Sequence, residues 1–209
     1  VKSHHQCQVV LAGNLVAKPE IRYKANPVVP IAEFTLATHS SWFDKSSNQY
    51  KNWTTFHPMI MTGSEVDKTL VHAEKGQLLY ISGRLRTKAK SDKDLVDISH
   101  YQLFDHGSNQ GFNTIHCTAL VTSPLKVLQT ENNRTLTEFS VAINQYFYSN
   151  VLERWIEHDI SRLVHIWGKA GQNAAERIQS GDTIMIEGTL SYQNDGRKSQ
   201  LIEAKKIIK

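Results

Sequence analysis

Cysteine is scarce in this chain of 209 residues: Cys7 and Cys117 are the only two, and neither has a neighbour at ligand spacing. That scarcity excludes a disulfide framework and a zinc site, and it makes a reducing cytoplasm the simpler home. Long apolar runs are missing as well. No stretch approaches membrane-spanning length, and the start at His4-His5 lacks the apolar core of a signal peptide, so a soluble protein without a membrane partner is expected. Catalytic patterning is equally thin. His39, His57 and His165 are scattered, and no Ser/His/Asp order, paired-carboxylate pattern or phosphate-cradling glycine loop stands out. The expectation is a binding protein, not an enzyme, with no cofactor and no metal.

Charge of one sign is not in large excess either. The formal net charge is +4, with 13 Lys/Arg against 10 Asp/Glu in residues 1–107 and 11 against 10 in the remainder. Such a balance permits a polyanionic partner without requiring one.

What the chain does contain is a repeat. Leu15, Val16 and Pro19 recur as Leu120, Val121 and Pro124, at a constant offset of 105 residues. Glu33-Phe34 and Ala37 recur as Glu138-Phe139 and Ala142, and Gly63, Gly76, Ile81, Gly83 and Leu85 as Gly168, Gly181, Ile186, Gly188 and Leu190. A period this long exceeds that of solenoid repeats, so each copy is expected to be a domain with its own core. The boundaries follow as a first domain over 1–105, a polar, glycine-containing linker over 106–112 and a second, more diverged domain over 113–209.

Each copy reads as strand, strand, strand, helix, strand, strand. Cys7 to Leu15, Ile31 to Thr38, Trp53 to Thr62, Leu78 to Arg86 and Val96 to Phe104 are rich in β-branched, aromatic and aliphatic residues, as are Thr183 to Ser191 and Gln200 to Ile208. Glu65 to Lys75 instead puts Val66, Leu70 and Ala73 on one helical face before Gly76, and Ala170, Ala174 and Ile178 do the same before Gly181. Five strands with a helix after the third predict a mainly β chain of two tandem OB-folds, small Greek-key barrels.

The motifs Val9-Val10-Leu11-Ala12-Gly13-Asn14-Leu15, Lys18-Pro19-Glu20-Ile21-Arg22-Tyr23 and Phe34-Thr35-Leu36-Ala37-Thr38 resemble the bacterial single-stranded DNA-binding proteins. Ser41-Trp42-Phe43-Asp44-Lys45 and Ile81-Ser82-Gly83-Arg84-Leu85-Arg86-Thr87 extend the likeness through the first copy. The second is similar through Glu138-Phe139-Ser140-Val141-Ala142, His165-Ile166-Trp167-Gly168-Lys169 and Ile186-Glu187-Gly188-Thr189-Leu190. The resemblance implies sequence-tolerant binding and protection of single-stranded DNA in replication, recombination or repair, by base stacking and phosphate contacts. It also implies a homodimer whose domains form a pseudo-tetramer of OB-folds.

By that resemblance Trp42 and its counterpart Phe147 match one stacking position, Phe56 a second and Trp167 a third. Strand periodicity adds a physical condition: if Met59, Met61, Val164 and Ile166 fill the barrels, Phe56 and Trp167 point outward. An outward aromatic stacks on any base. Aromatics also pack under hairpins and in interfaces, and burial is the default for Trp53 and Trp155, which lack family support. The phosphate-binding candidates are Arg22 and Lys24 in the first connecting loop and the period-two row Arg84, Arg86, Lys88 and Lys90. Lys169, Arg197 and Lys198 are sparser candidates in the second copy.

Thr62 stands opposite Trp167 in the repeat, and Ser161 opposite Phe56, so each copy keeps only part of the aromatic set. The sequence ends at Ile207-Ile208-Lys209 without the acidic tail by which family members recruit enzymes; either this version works without it or the sequence is truncated, and the tail's partners are not supported by the residues given. A primosome-type adaptor working mainly through protein contacts is the alternative, and stacking alone does not separate DNA from RNA.

Overall fold

The computed structural model describes residues 3–105 and 111–209. Of the linker expected at 106–112, residues 106–110 lie outside the described residues. The strands are β1 (Cys7–Leu15), β2 (Glu20–Lys24), β3 (Val29–Asp44), β4 (Gln49–Thr62), β5 (Leu78–Thr87) and β6 (Asp94–Phe104). They continue as β7 (Phe112–Val121), β8 (Lys126–Gln129), β9 (Thr135–Ser149), β10 (Arg154–Trp167), β11 (Thr183–Tyr192) and β12 (Gln200–Ile208). Helix α1 (Ser64–Lys68) follows β4, and α2 (Gly168–Arg177) follows β10. The chain is mainly β, and its two halves repeat one OB-like plan.

Two compact units result. The first contains residues 9–85 with 95–105 and 111–113; the second contains 114–209 together with 3–8 and the turn 86–94. In the first, the strand order β2-β3-β4-β6-β5-β1 closes through a β1–β3 pairing at Asn14↔Ala37 and Leu15↔Leu36. In the second, β8-β9-β10-β12-β11-β7 closes in the same way at Leu120↔Ala142 and Val121↔Val141. Closure buries one face of the longer strands. Val9, Leu11, Leu36, Met59, Leu79, Ile81 and Leu85 fill the first barrel, and Ile115, Phe139, Val141, Ile143, Val164, Ile186 and Leu190 fill the second. Each such aliphatic side chain contributes about 1.5–3 kcal/mol by leaving water.

Several elements depart from the expected ones. The helix over Glu65 to Lys75 is two pieces: α1 ends at Lys68, and a single 3-10 turn covers Leu70–His72. Thr69 between them has φ −127°, outside the helical region. Val66, Leu70 and Ala73 are nevertheless all buried. Packing of that apolar stripe, rather than a continuous hydrogen-bond ladder, holds so short a segment in place. Gly76 and Gly181 do adopt positive φ, at 89° and 96°.

The strands β2 and β8 were not expected, and β2 places Arg22 and Lys24 on a strand rather than in a loop. Both are short, largely exposed edge strands, so burial leaves no alternation in their sequence. The β3–β4 hairpin is also longer than expected, pairing without interruption to Asp44↔Gln49. Its outer half is solvated on both faces, and the apolar pattern that marks the inner half fades there.

In the second unit, residues 5 and 6 add backbone pairing to the barrel. His5 N–H donates to the Asn144 carbonyl at 2.7 Å, and Thr118 N–H donates to the Gln6 carbonyl at 2.9 Å. The His5 Nδ1 accepts the Asn144 N–H at 2.9 Å. Burial lowers the imidazole pKa below its ordinary value, which favours the neutral ring that this bond needs as acceptor.

Candidate nucleic-acid interface

Residues paired directly across an antiparallel ladder share a face, so the β3–β4 register assigns every hairpin side chain to one of two faces. Leu36↔His57 and Phe34↔Met59 point into the barrel, and Thr38↔Thr55, Ser40↔Trp53 and Trp42↔Lys51 continue that same face past its rim. Ala37↔Phe56, His39↔Thr54 and Phe43↔Tyr50 form the opposite face. Trp42 and Phe56 therefore stand on opposite sides of one ribbon. They are 47% and 55% exposed, as a base platform requires.

In the first unit Met59 and Met61 are buried and Phe56 points outward. Trp53 contradicts the default of burial: it is 62% exposed, beside Trp42 on the rim face. Its strand parity is inward, but at that height no barrel remains to receive it. Phe43 meets Tyr50 edge-on at 5.2 Å on the other face. At the tip, the Asp44 carboxylate accepts from Lys51, from Ser46 at 2.7 Å and from Ser47 at 2.9 Å, and these donors hold its pKa below the ordinary carboxylate range. The turn is thus tied down by its own polar groups.

The second unit uses the same hairpin differently. Phe147 lies half-buried on the rim face, edge-on to His158 at 5.3 Å. On the opposite face Tyr146 stacks on Trp155 at 4.9 Å and 14°, and Tyr148 meets the same indole edge-on at 5.8 Å. Trp155 is 58% exposed, again against the default of burial. His4 extends the stack, lying 4.5 Å from Tyr146. This shelf sits among carboxylates: Glu157 and Asp159 both accept hydrogen bonds from the Asn144 amide, and the His4 Nε2 lies 4.0 Å from Glu157. Tyr146 and Trp155 flank the hairpin tip as two large residues on paired strands, a signal that the family resemblance alone did not carry.

Trp167 is half-buried and already engaged. Its Nε1–H donates to Glu203 at 3.0 Å, and the Arg134 guanidinium lies 4.4 Å from the ring centroid. A base would stack there only by sharing or displacing Arg134. Nearby, the His165 Nε2 is 2.7 Å from Glu138.

The cations fall into separate groups. Arg22 forms an ion pair with Glu33 on β3, and Lys24 is exposed at the end of β2. Arg84 is on the outer side of β5, 3.8 Å from Asp97. The period-two row does not persist to Lys90, because β5 ends at Thr87 and the chain turns: Lys88 N–H donates to Lys93 O at 2.9 Å, and Asp92 N–H to Lys88 O at 2.8 Å. Arg86, Lys88 and Lys90 belong to the second unit, where they join Arg197 and Lys198. Lys169 is exposed on the first turn of α2.

Among the described residues no group of three or more His, Cys, Asp or Glu side chains could hold a metal ion, and Cys7 and Cys117 form no disulfide. Among the described residues no helix is long and apolar enough to cross a membrane.

A model of the single-strand binding protein family matches residues 7–104 and again 112–207. The chain belongs to that family. Among solved structures, a deletion mutant of the single-stranded DNA binding protein from Thermus aquaticus aligns with a TM-score of 0.81 at 21% identity, covering 99% of this chain and 95% of that one. The wild-type protein from Thermus aquaticus aligns at 0.78 and 20% identity, covering 99% and 94%. At such identity the likeness establishes the fold. The double family match establishes that both halves are family members, including the half whose aromatic set is most altered.

Proposed function

We propose that this protein binds and protects single-stranded DNA without strong sequence preference, in replication, recombination or repair. The observation that carries the reading is the pair Trp42 and Phe56, exposed on opposite faces of a β3–β4 ribbon in a chain of this family. Stacking contributes about 1–3 kcal/mol per base whatever the base. In the second unit Phe147, the counterpart of Trp42, is edge-on to His158, and Trp167, a third stacking position whose counterpart is Thr62, is shared with Arg134. Arg22, Lys24, Arg84, Arg86, Lys88, Lys90, Lys169, Arg197 and Lys198 supply the phosphate contacts, whose hallmark is affinity that falls as salt rises. Membership of a DNA-binding family supports a role without catalysis, and two cysteines outside any disulfide are compatible with a reducing cytoplasm.

Two copies would bring four OB domains together, a pseudo-tetramer that light scattering tests: a species of one chain's mass would reject it. The binding test is quenching of intrinsic Trp fluorescence by oligo-dT at low salt, with oligo-rU as competitor. Absence of quenching sinks the proposal, and preference for oligo-rU redirects it to RNA.

A second reading is favoured by the acid-flanked shelf of Tyr146, Trp155 and Tyr148. Carboxylates beside aromatics suit a basic protein segment better than a phosphate backbone, as an adaptor would need. Trp42→Ala separates the readings, because a mainly protein-binding adaptor would lose little by it.

A further inference from the structure

The turn between β5 and β6 carries Lys88, Lys90 and Lys93, and the turn between β11 and β12 carries Arg197 and Lys198; both turns lie in the second unit. Their tips are neighbours, since the Arg197 guanidinium is 3.9 Å from the Asp92 carboxylate and both side chains are largely exposed. The acidic residues of the two turns are occupied. Asp195 accepts from Ser199 N–H at 3.0 Å and from Ser199 Oγ at 2.7 Å, inside its own turn. Asp94 accepts from Thr87 Oγ1 at 2.8 Å and from Gln200 N–H at 2.9 Å.

Beneath the turns lies Arg162, a buried arginine on an inward position of β10. Its Nη2 donates to the Arg86 carbonyl at 3.0 Å and its Nη1 to Thr87 Oγ1 at 2.8 Å. Its Nε donates to Gln200 Oε1 at 3.0 Å, and Nη1 lies 3.3 Å from Asp94. One planar fork thus grips both ends of the lysine turn and the first residue of β12, the strand that follows the other turn. Burying a guanidinium costs heavily unless its donors are matched, and here, apart from a 2.8 Å bond from Nη1 to the Ser161 carbonyl on its own strand, the matches are to groups that set where the two turns sit. In the first copy the same position is His57, so the clamp occurs once.

We infer that these two turns form a single phosphate-binding edge for consecutive phosphodiesters of a single strand, and that Arg162 is the residue that positions it. The inference rests on the proposed binding of single-stranded DNA. Each turn alone offers two or three lysine or arginine charges; held together they offer five, Lys88, Lys90, Lys93, Arg197 and Lys198. Lysine contacts phosphate as a point charge without fixed geometry, so spacing between the charges depends on the turns being fixed from below.

The test is a salt titration of oligo-dT binding to the full chain, read as the slope of log affinity against log salt. For single strands that slope falls by about 0.7 for each phosphate that is no longer neutralised. Lys90→Ala and Arg197→Ala, singly and together, should each lower the slope, and the pair should lower it by the sum. Arg162→Met removes no charge from the edge itself, yet should lower the slope by the equivalent of at least one phosphate while the circular dichroism spectrum and cooperative melt persist; Arg162→Lys should recover part of it. An unchanged slope in folded Arg162→Met overturns the positioning role. Should that variant not fold, Asp94→Asn with Arg162→Met keeps the question open to measurement, because it removes the carboxylate left unpaired. An unchanged slope in Lys90→Ala/Arg197→Ala overturns the edge. If the wild-type chain shows no oligo-dT binding, it is the proposed function that fails.

Discussion

His57 and Arg162 occupy the same inward-facing position in the two copies of the hairpin, paired with Leu36 and Val141 across ladders of identical register. Both are buried, by opposite means. The His57 Nε2 meets Thr38 Oγ1 at 2.8 Å, and burial pushes the imidazole pKa down from 6.5 to about 3. The native state therefore keeps His57 neutral, while the unfolded chain takes up a proton there as pH falls through 6.5. Stability from this group is complete above pH 6.5 and declines as pH falls towards 3, by about 1.4 kcal/mol per pH unit. Urea melts between pH 4 and 7 should show a shallower acid limb for His57→Gln than for the wild type. Parallel limbs would mean that His57 does not titrate differently in the folded state.

Trp42 and Phe56 belong to opposite faces of one ribbon, so a strand using both must pass around its edge. Trp42→Ala and Phe56→Ala should each weaken oligo-dT binding by about 1–3 kcal/mol. Groups with no shared partner combine additively within about 0.5 kcal/mol. A double variant much weaker or stronger than the sum would show that both rings hold the same base. Unfolding midpoints should stay near the wild-type value, because both rings are already half in water.

The parts of this fold legible in sequence are those where burial imposes a period. β1 and β12 begin and end where their apolar patterns do, and the parity of Met59 and Met61 suffices to put Phe56 on the outer side. Solvated ribbon carries no such period. The outer halves of β3 and β4, the edge strands β2 and β8, and the exposure of Trp53 and Trp155 were invisible for that reason. A Trp at inward parity reads as core only while a barrel surrounds it. The gathering of Lys88 and Lys90 with Arg197 and Lys198 was hidden differently: residues 86–94 belong by sequence to the first copy and by packing to the second unit.

Trp155 is more exposed than Trp42, yet it should matter less to DNA. Its neighbours on the same face are Glu157 and Asp159, positions held in the first copy by Asn52 and Thr54. A phosphate approaching this shelf meets carboxylates at close range. Trp155→Ala should change oligo-dT affinity by less than about 0.5 kcal/mol, the range of surface substitutions away from a contact. It should, however, remove a fluorescence component that oligonucleotide does not quench. A loss matching that of Trp42→Ala would place the strand on the acidic face.

Gly83 and Gly188 stand 105 residues apart, and each is where a neighbouring strand passes too close for a side chain. A Cβ on Gly83 would lie 2.2 Å from the Asp97 carbonyl oxygen, and one on Gly188 would lie 2.1 Å from that of Glu203. Those obstacles are backbone atoms of β6 and β12, which can yield only if the barrel yields. Gly83→Ala and Gly188→Ala should each cost about 3 kcal/mol, the upper range for overpacking a core. Gly196→Ala, with nothing within 4 Å of its Cβ, is the matched control and should be close to neutral. The denaturation midpoints of the three variants decide the point. Since the two glycines sit in different units, separate transitions in Gly83→Ala and Gly188→Ala would also reveal whether the units unfold independently.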